Sequence, residues 1–349
     1  MTNKQLKKVG VAMSGGVDSS TTALLLKQAG YEVVGITGNM TGDEELLKKA
    51  KYNCDFLGIE HYVLDLREEF QKNVIDYFIS TYKSGSTPNP CAICNSKVKW
   101  GKIFDFAINK LNCDYFATGH YANITENDGV YRLERAKCDN KDQLYFLYSL
   151  KQEELDKTIF PLGKYSSKDE IREIAAKNGL PSKSYKDSQG VCFIKKPLSV
   201  KKYLFRQFGE QRGKVINIST GKVIGKHTGY YQYTVGQRKG LGIADKYPLY
   251  VTKIDAENNI VYLGYEEDTY GKEVEITNIN WQQKSFVGKE FRAQAKIRYN
   301  SPSKLCNVYP TENGVKIIFD EPVFAIAKGQ FGVIYDETNS YLIAGGKIV

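Results

Sequence analysis

Residues 7–37, KKVGVAMSGGVDSSTTALLLKQAGYEVVGIT, run from a short apolar stretch through a glycine turn and a helix-patterned segment into a second apolar stretch, with Gly30 just past the helix. This unit constrains the fold more than any other feature. A strand, a helix and a strand in immediate succession build parallel pairs, not hairpins. The alternation continues. GDEELLKKAKYNCDFLG reads as a helix opened by acidic residues, EHYVLDL as a strand, EEFQKNVIDYFISTYKSG as a helix, and CDYFATGHYA as a strand ending in a polar turn. The expected fold class is α/β, with an N-terminal doubly wound parallel sheet.

From about Ser166 the pattern changes. SKDEIREIAAKNGL reads as a helix with Ser167 as N-cap and Gly179 as its stop, and 198–208 as a further helix. YPLYVTKIDAENNIVYLGY reads as two strands about a polar turn, and from Val274 to Val349 short strands follow one another between polar or glycine turns. The expected organisation is a nucleotide-type domain over 1–205, a small connector domain over 206–270 and a C-terminal β-barrel over 271–349.

A chain of 349 residues exceeds one ordinary domain. Its net charge of +9 and its 25 tyrosines suit an RNA or phosphate partner, since aromatic rings among Lys and Arg stack on unpaired bases. No apolar run approaches the ~20 residues of a membrane span, and MTNKQLKKVGVAMSGG lacks an apolar leader core, so a cytoplasmic protein with neither membrane nor DNA as partner is expected. The seven cysteines are scattered and odd in number, which argues against a disulfide framework.

The turn AMSGGVDSS, Ala12–Ser20, follows the first strand and opens the first helix. Ser14, Gly15 and Gly16 allow a sharp turn that points N–H groups at an anion, Ser19 adds a hydroxyl, and Asp18 is placed either to hold Mg2+ or to position the loop. The Lys of a Walker loop is missing. S-G-G-x-D-S resembles the PP-loop of ATP pyrophosphatases, adenine nucleotide alpha hydrolase-like domains that split ATP between the α- and β-phosphates. That resemblance implies ATP contacts from Ala12, Met13, Ser14, Gly15, Gly16, Val17, Asp18 and Ser19, with Mg2+ as cofactor.

The segment TPNPCAICN carries Cys91 and Cys94 as C-x-x-C, a spacing shared by zinc knuckles, redox pairs, iron–sulfur ligands and sulfur-transfer nucleophiles. Zinc lacks a second ligand pair, because His61, His120 and His227 stand apart. A thioredoxin-type pair opens a helix without Pro-Asn-Pro before it. Pro88 and Pro90 point to an extended segment, with the cysteines on or just after a loop. Cys192 in DSQGVCFI follows Lys and polar turn residues suited to a thiolate, and Phe193 and Ile194 suggest the start of a strand.

Taken in order, AMSGGVDSS, TPNPCAICN, FATGHYA, KDQLYFLY, FPLGKYSSKDEIR, DSQGVCFI, YTVGQRKGLGI and KIRYN resemble the tRNA-specific 2-thiouridylases, the MnmA family, over nearly the whole chain. The resemblance implies transfer of sulfur to C2 of the wobble uridine in tRNAs for Lys, Glu and Gln, after ATP adenylates the base O2. It makes Cys192 the persulfide carrier and Cys94 the nucleophile, with an alternate Cys94–Cys192 disulfide, and it requires a cysteine desulfurase or sulfur-relay protein as donor. It also places Met40 and Gly119 at ATP, Asn89, Pro90 and Cys91 at the target base, and His120, Lys141, Asp142, Gln143, Arg298, Tyr299 and Gln330 at tRNA.

The chain departs from that family in two places. GITGNMTGDEELLKKAKYNC lacks a longer insertion and its F-M-K-x-W signal, which leaves Met40 as candidate for the adenine contact. Many family members carry Asp where this chain has Cys91. Three thiols, Cys91, Cys94 and Cys192, also suit a 4Fe-4S cluster with one open iron, as other tRNA-thiolating PP-loop enzymes use. The competing readings are an amide-forming PP-loop ligase on a small substrate and a non-catalytic RNA-binding or metal-storage protein.

Overall fold

A computed structural model describes residues 6–185 and 190–349. The front sheet is built from β1 (Lys8–Ala12), β2 (Glu32–Asn39), β3 (Glu60–Asp65) and β4 (Tyr115–Ala117). After β4 the chain forms a small antiparallel hairpin, β5 (Asn123–Asn127) with β6 (Val130–Glu134), and returns to the sheet as β7 (Thr158–Ile159). The sheet order is β3-β2-β1-β4-β7 and every pair is parallel. Strand order reverses at β1, so the crevice at the carboxyl ends of β1 and β4 is the natural ligand position of such a sheet.

Helices α1 (Val17–Gln28) and α2 (Glu44–Leu57) cross over from β1 to β2 and from β2 to β3. Asp43 caps α2 by accepting from the Leu46 N–H, and Gly58 closes it in the left-handed conformation (φ 61°). Ser167 caps the Lys168–Lys177 helix as expected, accepting from the Glu170 N–H at 3.2 Å.

The middle strands β8 (Gly213–Asn217), β9 (Val223–His227), β10 (Tyr250–Asp255) and β11 (Ile260–Gly264) make a four-stranded sheet in the order β10-β11-β8-β9. The last six, β12 (Tyr270–Trp281), β13 (Phe291–Lys296), β14 (Lys304–Thr311), β15 (Gly314–Phe324), β16 (Phe331–Tyr335) and β17 (Leu342–Ile348), close into a barrel, which leaves no open edge. Inward residues such as Ile276, Ala293, Val308 and Ile317 are fully buried.

The barrel is fused to the front domain through one continuous apolar core. Phe331, Val333, Tyr335 and Leu342 pack with Trp100, Phe116, Leu144 and Tyr145, and the Tyr148 and Phe331 rings lie 4.9 Å apart. Burial of so many large side chains, each contributing roughly 1.5–3 kcal/mol, ties the two ends of the chain together.

Cys91 and Cys94 lie just after a loop, as expected, but Pro90 does not hold the segment extended: Pro90–Cys94 is the first turn of a helical run that continues in wider turns through Asn95–Ile103. Asn89 accepts from the Ala92 N–H at 3.2 Å, and Pro90 fills the first helical position, where its missing N–H costs nothing. Phe193 and Ile194 do not start a strand. The Ile194 N–H donates to the Val191 carbonyl at 3.0 Å, so Cys192 sits in a turn. Lys186–Gln189, the polar residues expected to favour a Cys192 thiolate, lie outside the described residues.

Candidate active site

The glycine turn runs from the end of β1 into α1 with Gly15 in the left-handed region at φ 75°. A Cβ there would lie 3.0 Å from the Ala50 N, so glycine is required on both counts. The Ser14 N–H donates to Ser19 Oγ at 3.2 Å, and Ser19 Oγ donates to the Gly16 carbonyl at 3.2 Å. Gly16 and Ser14 thus stand at the crevice with Ser14 exposed, while Val17 and Ser19 are buried beneath.

Asp18 is fully engaged. Tyr121 Oη donates to one carboxylate oxygen at 3.0 Å and Lys168 Nζ to the other at 2.8 Å. Of the two roles expected for Asp18, positioning the loop is the one these bonds support. Mg2+ enters such sites chiefly on phosphate oxygens, and a carboxylate already paired twice adds little to its coordination.

Gly119, at the end of β4, meets the turn from the other side. A Cβ on Gly119 would lie 2.9 Å from the Asp18 carbonyl carbon and 2.9 Å from the Ser19 N. This close approach fixes where the next residue points. His120 is buried and faces Thr118 Oγ1 through Nδ1 at 2.7 Å. Burial pushes its pKa well below the ordinary value, so the ring is neutral and its Nε2 accepts from Lys99 Nζ at 3.4 Å.

Lys99 connects this crevice to the thiols. Its charge acts on Cys91, Cys94 and Cys192 alike, opposing the rise that burial imposes on each thiol. Cys94 is half-buried against the shared core and its pKa is pushed up to about 12, chiefly by desolvation and further by Cys192 and Cys91. Cys91 and Cys192 are exposed, yet enough protein surrounds them for desolvation to raise both. All seven cysteines are free thiols.

The barrel braces the cysteine segment. Gln330 Nε2 donates to the Thr87 carbonyl at 3.2 Å and the Pro88 carbonyl at 2.9 Å, and the Thr87 N–H donates to the Lys328 carbonyl at 2.8 Å. Tyr145 Oη donates to the Phe331 carbonyl at 3.0 Å, and Tyr77 Oη bonds the Gly329 carbonyl at 3.3 Å. Tyr299 stacks on Phe146 with ring centres 4.3 Å apart and feels the charge of Cys91.

Other expected site residues take structural partners. Asp142 is buried and accepts from the Ala136 N–H at 2.9 Å, while Gln143 Oε1 accepts from the Tyr121 N–H at 2.9 Å. Lys141 is half-buried beside them. Arg298 donates to the Val235 carbonyl at 2.8 Å and keeps a buried, unpartnered Nε. Met40 follows β2 and rests half-buried on the core behind Gly38.

Among the described residues no three His, Cys, Asp or Glu side chains are gathered to hold a metal ion, Cys91, Cys94 and Cys192 included. The thiols as arranged do not make a cluster site. No described helix is long and apolar enough to cross a membrane. Sequence reasoning missed Lys99, Tyr77, Tyr121, Tyr145 and Lys168. Tyr121, Tyr145 and Lys168 sit inside stretches singled out beforehand, FATGHYA, KDQLYFLY and FPLGKYSSKDEIR, but no role was read for them there.

Known families and proteins are similar to this chain over nearly its whole length. The family profile described as tRNA methyl transferase HUP domain matches residues 7–196, its PRC-barrel domain 201–265, and the aminomethyltransferase beta-barrel domain 271–348. A protein of Trichormus variabilis named tRNA-specific 2-thiouridylase MnmA is 41% identical over 99% of this chain and 99% of its own length. One of the same name from Nostoc sp. is 42% identical over 99% of each. A tRNA-specific 2-thiouridylase MnmA 1 from Clostridium tetani is 43% identical over 100% of this chain and 98% of its own.

Proposed function

The chain belongs to the tRNA-specific 2-thiouridylase (MnmA) family, and from that premise we infer that it is a sulfurtransferase that installs 2-thiouridine in tRNA using ATP. The target is the wobble uridine of tRNAs for Lys, Glu and Gln, and the setting is cytoplasmic.

In the first half-reaction the base O2 attacks the α-phosphorus of ATP and pyrophosphate leaves. The start of α1, just past the glycine turn, carries the positive end of the helix dipole toward the phosphates. Tyr121 and Lys168 hold Asp18 and with it the loop, and Gly119 lets β4 close on it. Mg2+ accompanies the phosphates.

In the second half-reaction the outer sulfur of a persulfide on Cys192 attacks C2, and AMP leaves with the former O2. Cys94 is the family's partner thiol, which accepts the bond left behind. Lys99 favours the anionic sulfur forms. A cysteine desulfurase or sulfur-relay protein reloads Cys192. Tyr299 on Phe146 offers a stacking face for the extruded base, and the unpartnered Arg298 Nε offers a donor to RNA.

One observation carries this reading: Lys99 bonds His120, which follows the Gly119 that meets the glycine turn, and its charge also opposes the rise that burial imposes on Cys91, Cys94 and Cys192. The test is pyrophosphate release with and without unmodified tRNA, followed by nucleoside analysis. A tRNA-dependent burst with 2-thiouridine in the digest is expected; tRNA-independent release with an indifferent Cys192→Ser would instead favour a small-substrate ligase.

A further inference from the structure

We propose that the outer face of the helix Val200–Phe208, with the turns beside it, is a docking surface for the sugar–phosphate backbone of the tRNA substrate. The proposal rests on the thiouridylase reading and gives the middle domain, which contributes no side chain to the site described above, a part in holding the substrate.

The first observation is where the charge lies. Residues 201–265 hold eleven Lys and Arg against four Asp and Glu, a net of +7 in a chain whose total is +9. An excess that served only solubility would not have to be gathered on one domain. The second is the way the helix divides. Val200, Tyr203, Leu204 and Phe208 pack inward, with Leu204 fully buried. Lys201, Lys202, Phe205 and Arg206 fall on the opposite face, where Lys202, Phe205 and Arg206 are exposed. Among the described residues neither Lys202 nor Arg206 is paired with a carboxylate.

The third observation is shape. Those four side chains, with Thr228 and Gln232, line a recess of about 320 Å3. Lys201 Nζ donates to the Gly240 carbonyl at 3.3 Å, which draws the turn with the exposed Arg238 and Lys239 alongside. The fourth is position. The inner face of the same helix meets the carrier turn: the Tyr203 and Phe193 rings lie 6.0 Å apart, and Phe193 follows Cys192. The cationic face therefore stands one helix diameter, ~10–12 Å, behind the turn that meets the target base. A tRNA whose base reaches Cys192 carries neighbouring phosphates within reach of it. Unpaired Lys and Arg along a helix suit such a row of phosphates, and the Phe205 ring between them offers a nucleotide a stacking face, which favours RNA over an acidic protein.

The test measures binding of unmodified tRNA to the full chain over a range of salt concentrations, and thiolation kinetics with a cysteine desulfurase, cysteine and ATP. Lys202→Gln with Arg206→Gln should weaken binding by ~10-fold or more at low salt and flatten the slope of log affinity against log salt by about 1–2. The loss should appear in KM for tRNA, with kcat within about two-fold of the wild type. Lys304→Gln with Lys316→Gln removes the same charge from the outside of the barrel and should leave affinity and slope within about two-fold. Equal losses in the two double variants would overturn the proposal, because net charge alone would then explain them. So would unchanged tRNA binding in Lys202→Gln with Arg206→Gln, whether nothing else changes or persulfide loading by the desulfurase slows; the latter result would assign the face to the sulfur donor. Failure of the underlying reading looks different: the wild type itself would then make no 2-thiouridine.

Discussion

The front sheet and the closing barrel handle the same problem, unpaired backbone groups, in opposite ways. The parallel sheet leaves the carboxyl ends of β1 and β4 open and surrounds them with glycines, Gly15, Gly16 and Gly119, so that backbone approaches backbone there. The barrel closes every edge and turns its side chains inward, yet sends Gln330 and the Lys328 carbonyl out to grip Thr87 and Pro88. One region supplies chemistry from exposed backbone, the other supplies rigidity to a loop that it does not contain.

That contrast predicts a graded set of responses. The largest effect belongs to the carrier thiol. Cys192→Ser should lower 2-thiouridine formation by at least ~10^3-fold while pyrophosphate release with tRNA stays within a few-fold, measured on the same samples. Next is the crevice: Gly119→Ala places a methyl 2.9 Å from two backbone atoms of the turn, so pyrophosphate release should fall by more than ~10-fold with the barrel undisturbed, as checked by near-UV circular dichroism.

How much of this was legible beforehand follows the same division. The strand–glycine turn–helix unit is local in sequence, and S-G-G-x-D-S read as it folds. Ser167 likewise caps its helix as read. The helix at Cys91 is harder to read: Pro88 and Pro90 suit an extended segment, yet Asn89-Pro90 is also a cap followed by a first-turn proline, and the second signal prevails. Phe193 looked like a strand residue because it is apolar, but its ring is spent on Phe70 and Phe78 from a turn. Tyr145 acts on a residue 186 positions away, so even inside KDQLYFLY its role could not be read, and nothing local marks Lys99 among many lysines.

The barrel's grip sets the third effect. Gln330→Ala removes its two bonds to the cysteine segment and leaves the buried Pro88 carbonyl unsatisfied, a loss of about 1–3 kcal/mol. Thiolation should drop more than pyrophosphate release, which tests whether bracing serves the thiols and not the crevice. Equal losses in the two half-reactions would erase the distinction between the regions. The smallest effect is the control. Lys304 and Glu321 pair at 3.1 Å on the outside of the barrel, and Lys304→Ala should change stability by no more than ~0.5 kcal/mol in urea unfolding, with activity intact. The Lys168–Asp18 pair, similar in length at 2.8 Å but largely shielded, should respond more strongly to Lys168→Met, in pyrophosphate release above all.

The most direct test of the whole account couples the two halves of the site in one tube. The wild-type chain, loaded with persulfide on Cys192, is mixed with radiolabelled ATP and unmodified tRNA, and pyrophosphate and 2-thiouridine are counted together. The account predicts pyrophosphate release that depends on tRNA, with one 2-thiouridine formed per loaded Cys192. Pyrophosphate released equally well without tRNA, or tRNA-dependent release with no 2-thiouridine, would contradict it.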